Sequence, residues 1–435
     1  MGGRAETRFG KGWSLMTEQL IYFSSCAIHP DGSNDPFMVM EQPWLVNRFD
    51  RVMMAAHQGA DWLGSDPTEA HQPQKPLLCG LRGFCRALFS KDVRTEWKRL
   101  RADSCFTPVN ALKVLLFAAR GQGMFLAADA FLPEDWQPDQ VALYACWMSF
   151  DAYAAVLMKR KYPAMRLVVR GHAFDIDVER NAVNPYLMKQ AIAEAADGLY
   201  LISQSAKAQY MQYMQGRVAE DKVHVLAFGS AGEAPEALFP PPLHTEGVLR
   251  IVSCAQVIPI KQVHVLLEAL AAWEGVSVHW THIGAGEGFE ALQQQAEEYL
   301  DRKENVIVHW MGSLSAAEVL RVYEDAPFDV FINTSQKEGV PVSIMEAMRC
   351  GIPAIAPAVG GLPELICPET GWLYQPQEGS AGVRRCLQAL AGETLQQAND
   401  RRQAAAKRWQ ECFRNAGGLE KLFGAIPLSV EGENQ

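Results

Sequence analysis

EGVPVSIMEAMRCGIPAIAPAVGGLPEL, residues 338–365, is the stretch whose reading decides the fold. It follows DVFINTS (329–335), an apolar strand that ends in a polar loop. Pro341 falls where a helix begins, and proline suits the first helical position. The helix extends to about Cys350, with Gly351 as its C′ residue. GIPAIAP then reads as another strand and Gly360-Gly361 as a turn. Strand, loop, helix and strand in this order form a unit of a parallel α/β sheet. The first helical turn offers the N–H groups of Val342, Ser343 and Ile344 at the positive end of a helix dipole, an arrangement that suits a phosphate. Glu338 precedes the helix, and Glu346 lies about one and a half turns into it. From there Glu346 reaches past a phosphate towards ribose hydroxyls, because a carboxylate accepts two hydrogen bonds from a vicinal diol. Two glutamates at this spacing also occur by chance on solvated helices. The surrounding pattern makes the pair informative.

The same alternation extends outward. VLRIVSCA (248–255), VSVHWTHIG (276–284) and NVIVHWMG (305–312) read as strands, with helices KQVHVLLEALAAW (261–273) and EGFEALQQQAEEYLDRK (287–303) between them. Upstream, LIYFSS (20–25), VMMAA (52–56), MRLVVRGH (165–172), GLYLIS (198–203) and KVHVLAFG (222–229) continue the pattern, and MFLAADAFL (124–132) reads as a further buried strand or short apolar segment. Residues 140–163 begin as a strand and become a helix that ends near Pro163. The proline-rich stretch at 230–248 interrupts the rhythm. The expected organisation is a disordered extension (1–16), a first domain (17–229), a linker (230–248) and a second domain (249–407), followed by a helix and tail (408–435) that cross back to the first domain. The fold class is α/β, with two doubly wound parallel-sheet domains of Rossmann type facing a cleft. Open sheets of this kind bind ligands at the carboxyl ends of their strands.

Composition narrows the function. The 435 residues carry a net charge of −10 and are 49% hydrophobic, so no overall basic footprint for nucleic acid exists. Ten cysteines without a C-x-x-C pair match no zinc or disulfide framework and fit a reducing cytoplasm. Residues 1–16 lack the apolar stretch of a signal peptide, and Met16 is a second candidate start. No uninterrupted apolar run reaches about 18 residues, so no transmembrane helix is expected and any membrane contact is peripheral. LRGFCRALFSKDVRTEWKRLR (81–101) sets Arg82, Arg86, Lys91, Arg94, Lys98, Arg99 and Arg101 against Asp92 and Glu96, with Leu81, Phe84, Leu88, Phe89 and Trp97 interleaved. It is either a solvated helix with an ordinary core face or a docking surface for anionic lipid.

The 338–365 stretch resembles the E-x(7)-E segment of the family-4 retaining glycosyltransferases, which have the GT-B fold. VSCAQVIPIKQVHVLLEAL and HWTHIGAGEGFEAL resemble the preceding strands and loops of that family's second domain. YACWMSFDAYAAVLMKRKYPAMRLVVRGHAFD resembles a segment from a branch associated with bacterial surface polysaccharides. The resemblance implies a hexosyltransferase that moves sugar from a nucleotide-sugar to a glycan or lipid-linked acceptor. The setting would be exopolysaccharide, capsule or lipopolysaccharide synthesis in the cytoplasm, at the inner face of the plasma membrane if 81–101 docks there. It implies catalytic roles for Glu338 (donor-sugar hydroxyls), Lys261 (donor diphosphate) and His172 (the sugar, from across the cleft). Donor-binding roles fall to Gln256, Gly284, Gly339, Val342, Ser343 and Glu346, the last on the ribose. No metal and no cofactor is expected. Asp175-Ile176-Asp177 spells D-x-D but lies away from the donor site, and IGAGEG (283–288) alone is a weak nucleotide signal. Two positions depart from the family: Gln256 stands where arginine is frequent, and Pro341 where glycine is. Each weakens phosphate binding, one by losing a charge and the other by losing an N–H. They leave open a non-catalytic partner of an active transferase, while an epimerase or phosphorylase on the same fold is a remoter alternative.

Overall fold

The structure is a computed structural model, and it describes residues 19–24, 36–56, 59–62, 79–134, 136–176, 187–230, 232–301 and 303–424. The expected extension (1–16), the tail beyond 424 and Asp177 lie outside the described residues.

Two sheets organise the chain. The first holds β1 (Gln19–Phe23), β2 (Arg51–Ala56), β3 (Gly59–Trp62), β4 (Val141–Ala145), β5 (Arg166–Gly171), β6 (Gly198–Leu201) and β7 (Val223–Val225). Its order is β3-β2-β1-β4-β5-β6-β7, parallel except for β3 against β2. The second holds β8 (Leu249–Cys254), β9 (Val278–Ile283), β10 (Val306–Gly312), β11 (Val330–Ile332), β12 (Ala354–Pro357) and β13 (Gly371–Tyr374). Its order is β10-β9-β8-β11-β12-β13, and the pairs are parallel. The central strands are apolar without alternation; every residue of β4 is buried, for instance, because helices cover both faces. Both sheets reverse their order beside their first strand, so the loops after β1/β4 and β8/β11 stand at the switch points where such sheets bind ligands.

Residues 124–132 are not a strand. They complete the 23-residue helix Pro108–Ala130 and the turn beyond it, which Thr107 starts by accepting the Asn110 N–H at 3.0 Å, with Pro108 next in line. Gly121, and Gly83 on the neighbouring helix, serve close packing. A Cβ on Gly121 would stand 2.6 Å from the Tyr153 ring, and one on Gly83 would stand 2.7 Å from the Gly123 nitrogen. Helix Cys79–Leu88 therefore lies directly against this helix. The long helix has an 18-residue window of mean hydropathy 1.3, enough by length and composition to cross a membrane, and 61% of that window is buried in the domain.

The chain returns to the first domain at its end. The Ser230 N–H donates to the Phe413 carbonyl at 2.9 Å, and Trp409 Nε1 donates to Ser230 Oγ at 2.7 Å. Helix Asn415–Gly424 then buries Leu419, Leu422 and Phe423 beside Leu20, Tyr22 and Tyr144 of the first sheet.

Candidate active site

The loops that leave β8 and β11 meet because those strands are neighbours. Thr334 Oγ1 donates to the Lys261 carbonyl at 3.1 Å, and the Gln336 N–H donates to the Ile260 carbonyl at 2.8 Å. This stitching brings Lys261 Nζ to 2.5 Å from Glu338 Oε1. Ser335 Oγ donates to the same oxygen at 2.6 Å, and Asn333 Nδ2 at 3.3 Å. Three donors on Oε1 fix the carboxylate, whose side chain is only 8% exposed, and none of them occupies Oε2. Ser335 and Asn333 were not singled out in the sequence, although the polar NTS at the end of an apolar strand was a readable sign.

Glycines hold the rest of the frame. Gly360 has φ of +53°, and a Cβ there would lie 1.8 Å from the Glu338 carbonyl oxygen. Beside it the Gly361 N–H donates to the Gly339 carbonyl at 2.9 Å. Gly284 has φ of +135°, and a Cβ there would lie 1.9 Å from the Ala255 carbonyl oxygen. The contact accounts for glycine at 284, since it lets the loops after β8 and β9 lie together, with the Val257 N–H donating to Ala285 at 3.0 Å.

The helix itself is Val342–Arg349, one residue later than expected at its start. Pro341 is the N-cap, with ψ of 128°, rather than the first helical residue. Its ring fixes φ at a value common to helical and extended backbone, so proline is compatible with either position. No side chain caps this end, and the Met345 N–H is the first to find a carbonyl within the helix, that of Pro341. The N–H groups of Val342, Ser343 and Ile344 therefore have no partner within the helix. Gly351, with φ of +68°, follows the C-cap Cys350.

Glu346 is half-buried on this helix, and its carboxylate makes no hydrogen bond among the described residues. Burial pushes it up to about 7, against the pull of the Arg349 cation. The Cys254 thiol at the end of β8 is pushed up to about 11, by burial first and by the neighbouring Glu346 charge among the further causes. Gln256 is exposed at the mouth of the same loop.

His172 stands at the carboxyl end of β5, on the other sheet, and is 5% exposed. Its Nε2 is 3.0 Å from the Cys146 carbonyl, and its ring lies against Trp147 at 4.3 Å. Burial, with help from the Arg170 cation, holds it down to about 3, so the imidazole is neutral. The structure thus joins Lys261 to Glu338 directly, places Glu346 on the adjoining helix, and holds His172 in the first domain. Asp175 is committed elsewhere: Oδ2 accepts the N–H groups of Met148 and His172 at 3.1 and 3.0 Å. Among the described residues no three His, Cys, Asp or Glu side chains gather as a metal site.

Residues 235–408 match the model of the glycosyl transferases group 1 family, so the second half of the chain carries a domain of that kind. WcaL of Escherichia coli (strain K12), named as a colanic acid biosynthesis glycosyltransferase, is 33% identical over 146 residues, 32% of this chain and 35% of WcaL. The amylovoran biosynthesis glycosyltransferase AmsK of Erwinia amylovora is 30% identical over 182 residues, 40% of this chain and 43% of AmsK. The chain thus spans well under half the length of these curated relatives. In structure it is similar to HepE of Anabaena, solved with UDP-glucose, at a TM-score of 0.60 and 15% identity over 94% of this chain and 98% of that one. The overall fold is GT-B.

Proposed function

We propose that the protein is a retaining glycosyltransferase of bacterial polysaccharide synthesis, acting in the cytoplasm on a nucleotide-sugar and a glycan acceptor carried on lipid. The observation that carries this reading is the Glu338 carboxylate, pinned by Lys261 and Ser335 directly ahead of an uncapped helix N-terminus, with Glu346 making no hydrogen bond among the described residues. In this reading the donor diphosphate lies over the N–H groups of residues 342–344 and beside Lys261. Glu346 holds the ribose, and Glu338 the sugar hydroxyls. The acceptor oxygen attacks the anomeric carbon on the face from which the phosphate departs. The C–O bond to phosphate breaks, the new C–O bond forms, and the acceptor proton passes to the leaving phosphate oxygen. Lys261 and the helix dipole oppose the negative charge that grows there, in place of a cation. The neutral His172 offers a hydrogen bond from the facing domain rather than a charge.

The test is turnover by the purified chain alone, with product anomers read by NMR. Retained configuration and loss of turnover in Glu338→Ala are expected. Donor binding without turnover under any acceptor would favour the non-catalytic partner.

Exposed apolar side chains favour a second element of this reading, peripheral docking on anionic lipid. Leu81, Phe89, Val109 and Leu112 are 62%, 79%, 59% and 52% exposed on the paired helices Cys79–Leu88 and Pro108–Ala130 and the turns at their ends. Arg82, Arg86, Lys91 and Arg94 are exposed on helix Cys79–Leu88 and the helix that follows it. Exposed apolar residues accompanied by cations fit an anionic bilayer better than water. Flotation with phosphatidylglycerol vesicles should carry the protein upward at low salt. Phe89→Asp should abolish this, and flotation of neither protein would remove the idea.

A further inference from the structure

Glu364 belongs to the second domain, but its carboxylate rests on the first. It accepts the Gln204 N–H at 2.8 Å and the Ser205 N–H at 3.1 Å. These are the first two N–H groups of the 11-residue helix Gln204–Met214. The next one, of Ala206, donates at 3.0 Å to Ser203 Oγ, the helix's own cap. The helix thus has three unpaired N–H groups at its start, and two of them are satisfied by a side chain 160 residues away. The carboxylate also lies at the positive end of the helix dipole.

Glu364 is braced from behind and joined to the candidate site in front. Arg408 donates to the Glu364 carbonyl at 2.7 Å and to the Leu365 carbonyl at 2.9 Å. Ahead of Glu364, Gly361 contacts both the donor loop and the first domain. A Cβ on it would lie 2.5 Å from the Gly339 carbonyl oxygen and 3.1 Å from Ser203 Cβ. Val340, two residues from Glu338, packs against the apolar cores of both domains. The covalent crossings between the domains lie elsewhere, where Ser230 meets Phe413 and Trp409. The Glu364 tie is therefore a second, non-covalent fastening, made at the partly exposed edge where the donor loop meets the first domain.

We propose that Glu364 is a positioning residue that fastens the two domains in the closed arrangement and so sets the Glu338 loop against the half of the site that carries His172. The kinetic part of this proposal rests on the transferase reading; the conformational part does not. Breaking the tie is expected to shift the balance between closed and open forms by roughly 5–30-fold, the range for a loss of one or two ordinary interactions.

Small-angle X-ray scattering of the full chain tests the conformational part without turnover. Glu364→Ala removes the acceptor. Gln204→Pro removes one donor from the other side and leaves the helix intact, because proline suits the first helical position and Ser203 before it is extended. Each single variant should raise the radius of gyration, and the double variant should raise it no further, since both break one fastening. Glu364→Gln, which keeps one carbonyl acceptor, should fall between wild type and Glu364→Ala. If the transferase reading holds, kcat falls by the same roughly 5–30-fold while donor Kd stays within about twofold. Unchanged scattering in both single variants, or additive effects in the double, would overturn the proposal. A scattering change in a chain without turnover would leave it standing and count against the transferase reading alone.

Discussion

Glu346 owes its behaviour to where the helix places it. An ordinary glutamate has a pKa of 4.5, and burial brings this one up to about 7. Between those values the folded chain holds a proton that the unfolded chain has released. Its contribution to stability is therefore full below about pH 4.5 and is lost as pH rises through 7. Glu346→Gln, which cannot titrate, should gain Tm relative to wild type on going from pH 5 to pH 8 in parallel melts. If ribose hydroxyls donate to the charged carboxylate, as proposed, nucleotide binding should release a proton and tighten as pH rises through 7 in wild type. Calorimetry should show that slope flattened in Glu346→Gln. Glu338 differs, because its partners are already in place. Glu338→Ala should lose about 10²-fold or more in kcat with a smaller change in donor KM, if its hydrogen bonds strengthen as the sugar departs. A raised donor KM with kcat unchanged would argue for a purely binding role. The strand, loop and helix that carry Glu338 and Glu346 were legible because that stretch has a strong pattern, whereas Lys261 was singled out through the family resemblance. The three-donor grip on Oε1 was not, since hydrogen-bond partners depend on which strands are adjacent.

At the scale of elements, the turns carry the information. Gly360 illustrates a conformation that sequence marks and structure explains: φ is +53° and the Glu338 carbonyl fills the place of a side chain. Gly360→Ala should cost at least about 1–2 kcal/mol from the left-handed backbone alone, with more from the clash. Urea unfolding measures the loss, and weakened nucleotide binding should accompany it because Glu338 must move. The misreading of 124–132 has a definite cause. A short apolar run does not reveal its period, and the two glycines before it argue against a helix by propensity. Tertiary packing overrides that propensity, because Gly121 makes room for Tyr153 and Gly83 lets its own helix lie against the backbone at Gly123. Pro341 was misplaced by one residue for a local reason: its fixed φ is shared by the N-cap and the first helical position.

The molecule as a whole depends on contacts that join distant parts of the chain. The alternation of strands and helices made two parallel-sheet domains legible, but strand order arises only in three dimensions, and the return of the final helix was expected from the family resemblance rather than from its own residues. Phe423 is 4% exposed and meets the rings of Trp44, Phe49 and Tyr144 at 5.8, 5.1 and 5.5 Å. Phe423→Ala should cost about 3–5 kcal/mol, as large core truncations do. The lowered Tm should appear in the transition that unfolds the first domain, although the residue lies near the chain's end. The Glu364 contact had no sequence signature at all, since neither a glutamate after Gly-Gly-Leu-Pro nor a helix start at Ser203 points to the other.

The central claim is that residues 253–366 hold a nucleotide-sugar. Thermal unfolding of the purified chain with UDP, GDP, ADP, CMP and the corresponding sugar conjugates tests it most directly. A ligand at a hundred times its Kd adds about 2.7 kcal/mol to the stability of the folded state. A rise in Tm with the nucleotides of one base is expected, and loss of that rise in Glu346→Ala. No rise with any of them, or a rise that survives in Glu346→Ala, would contradict it.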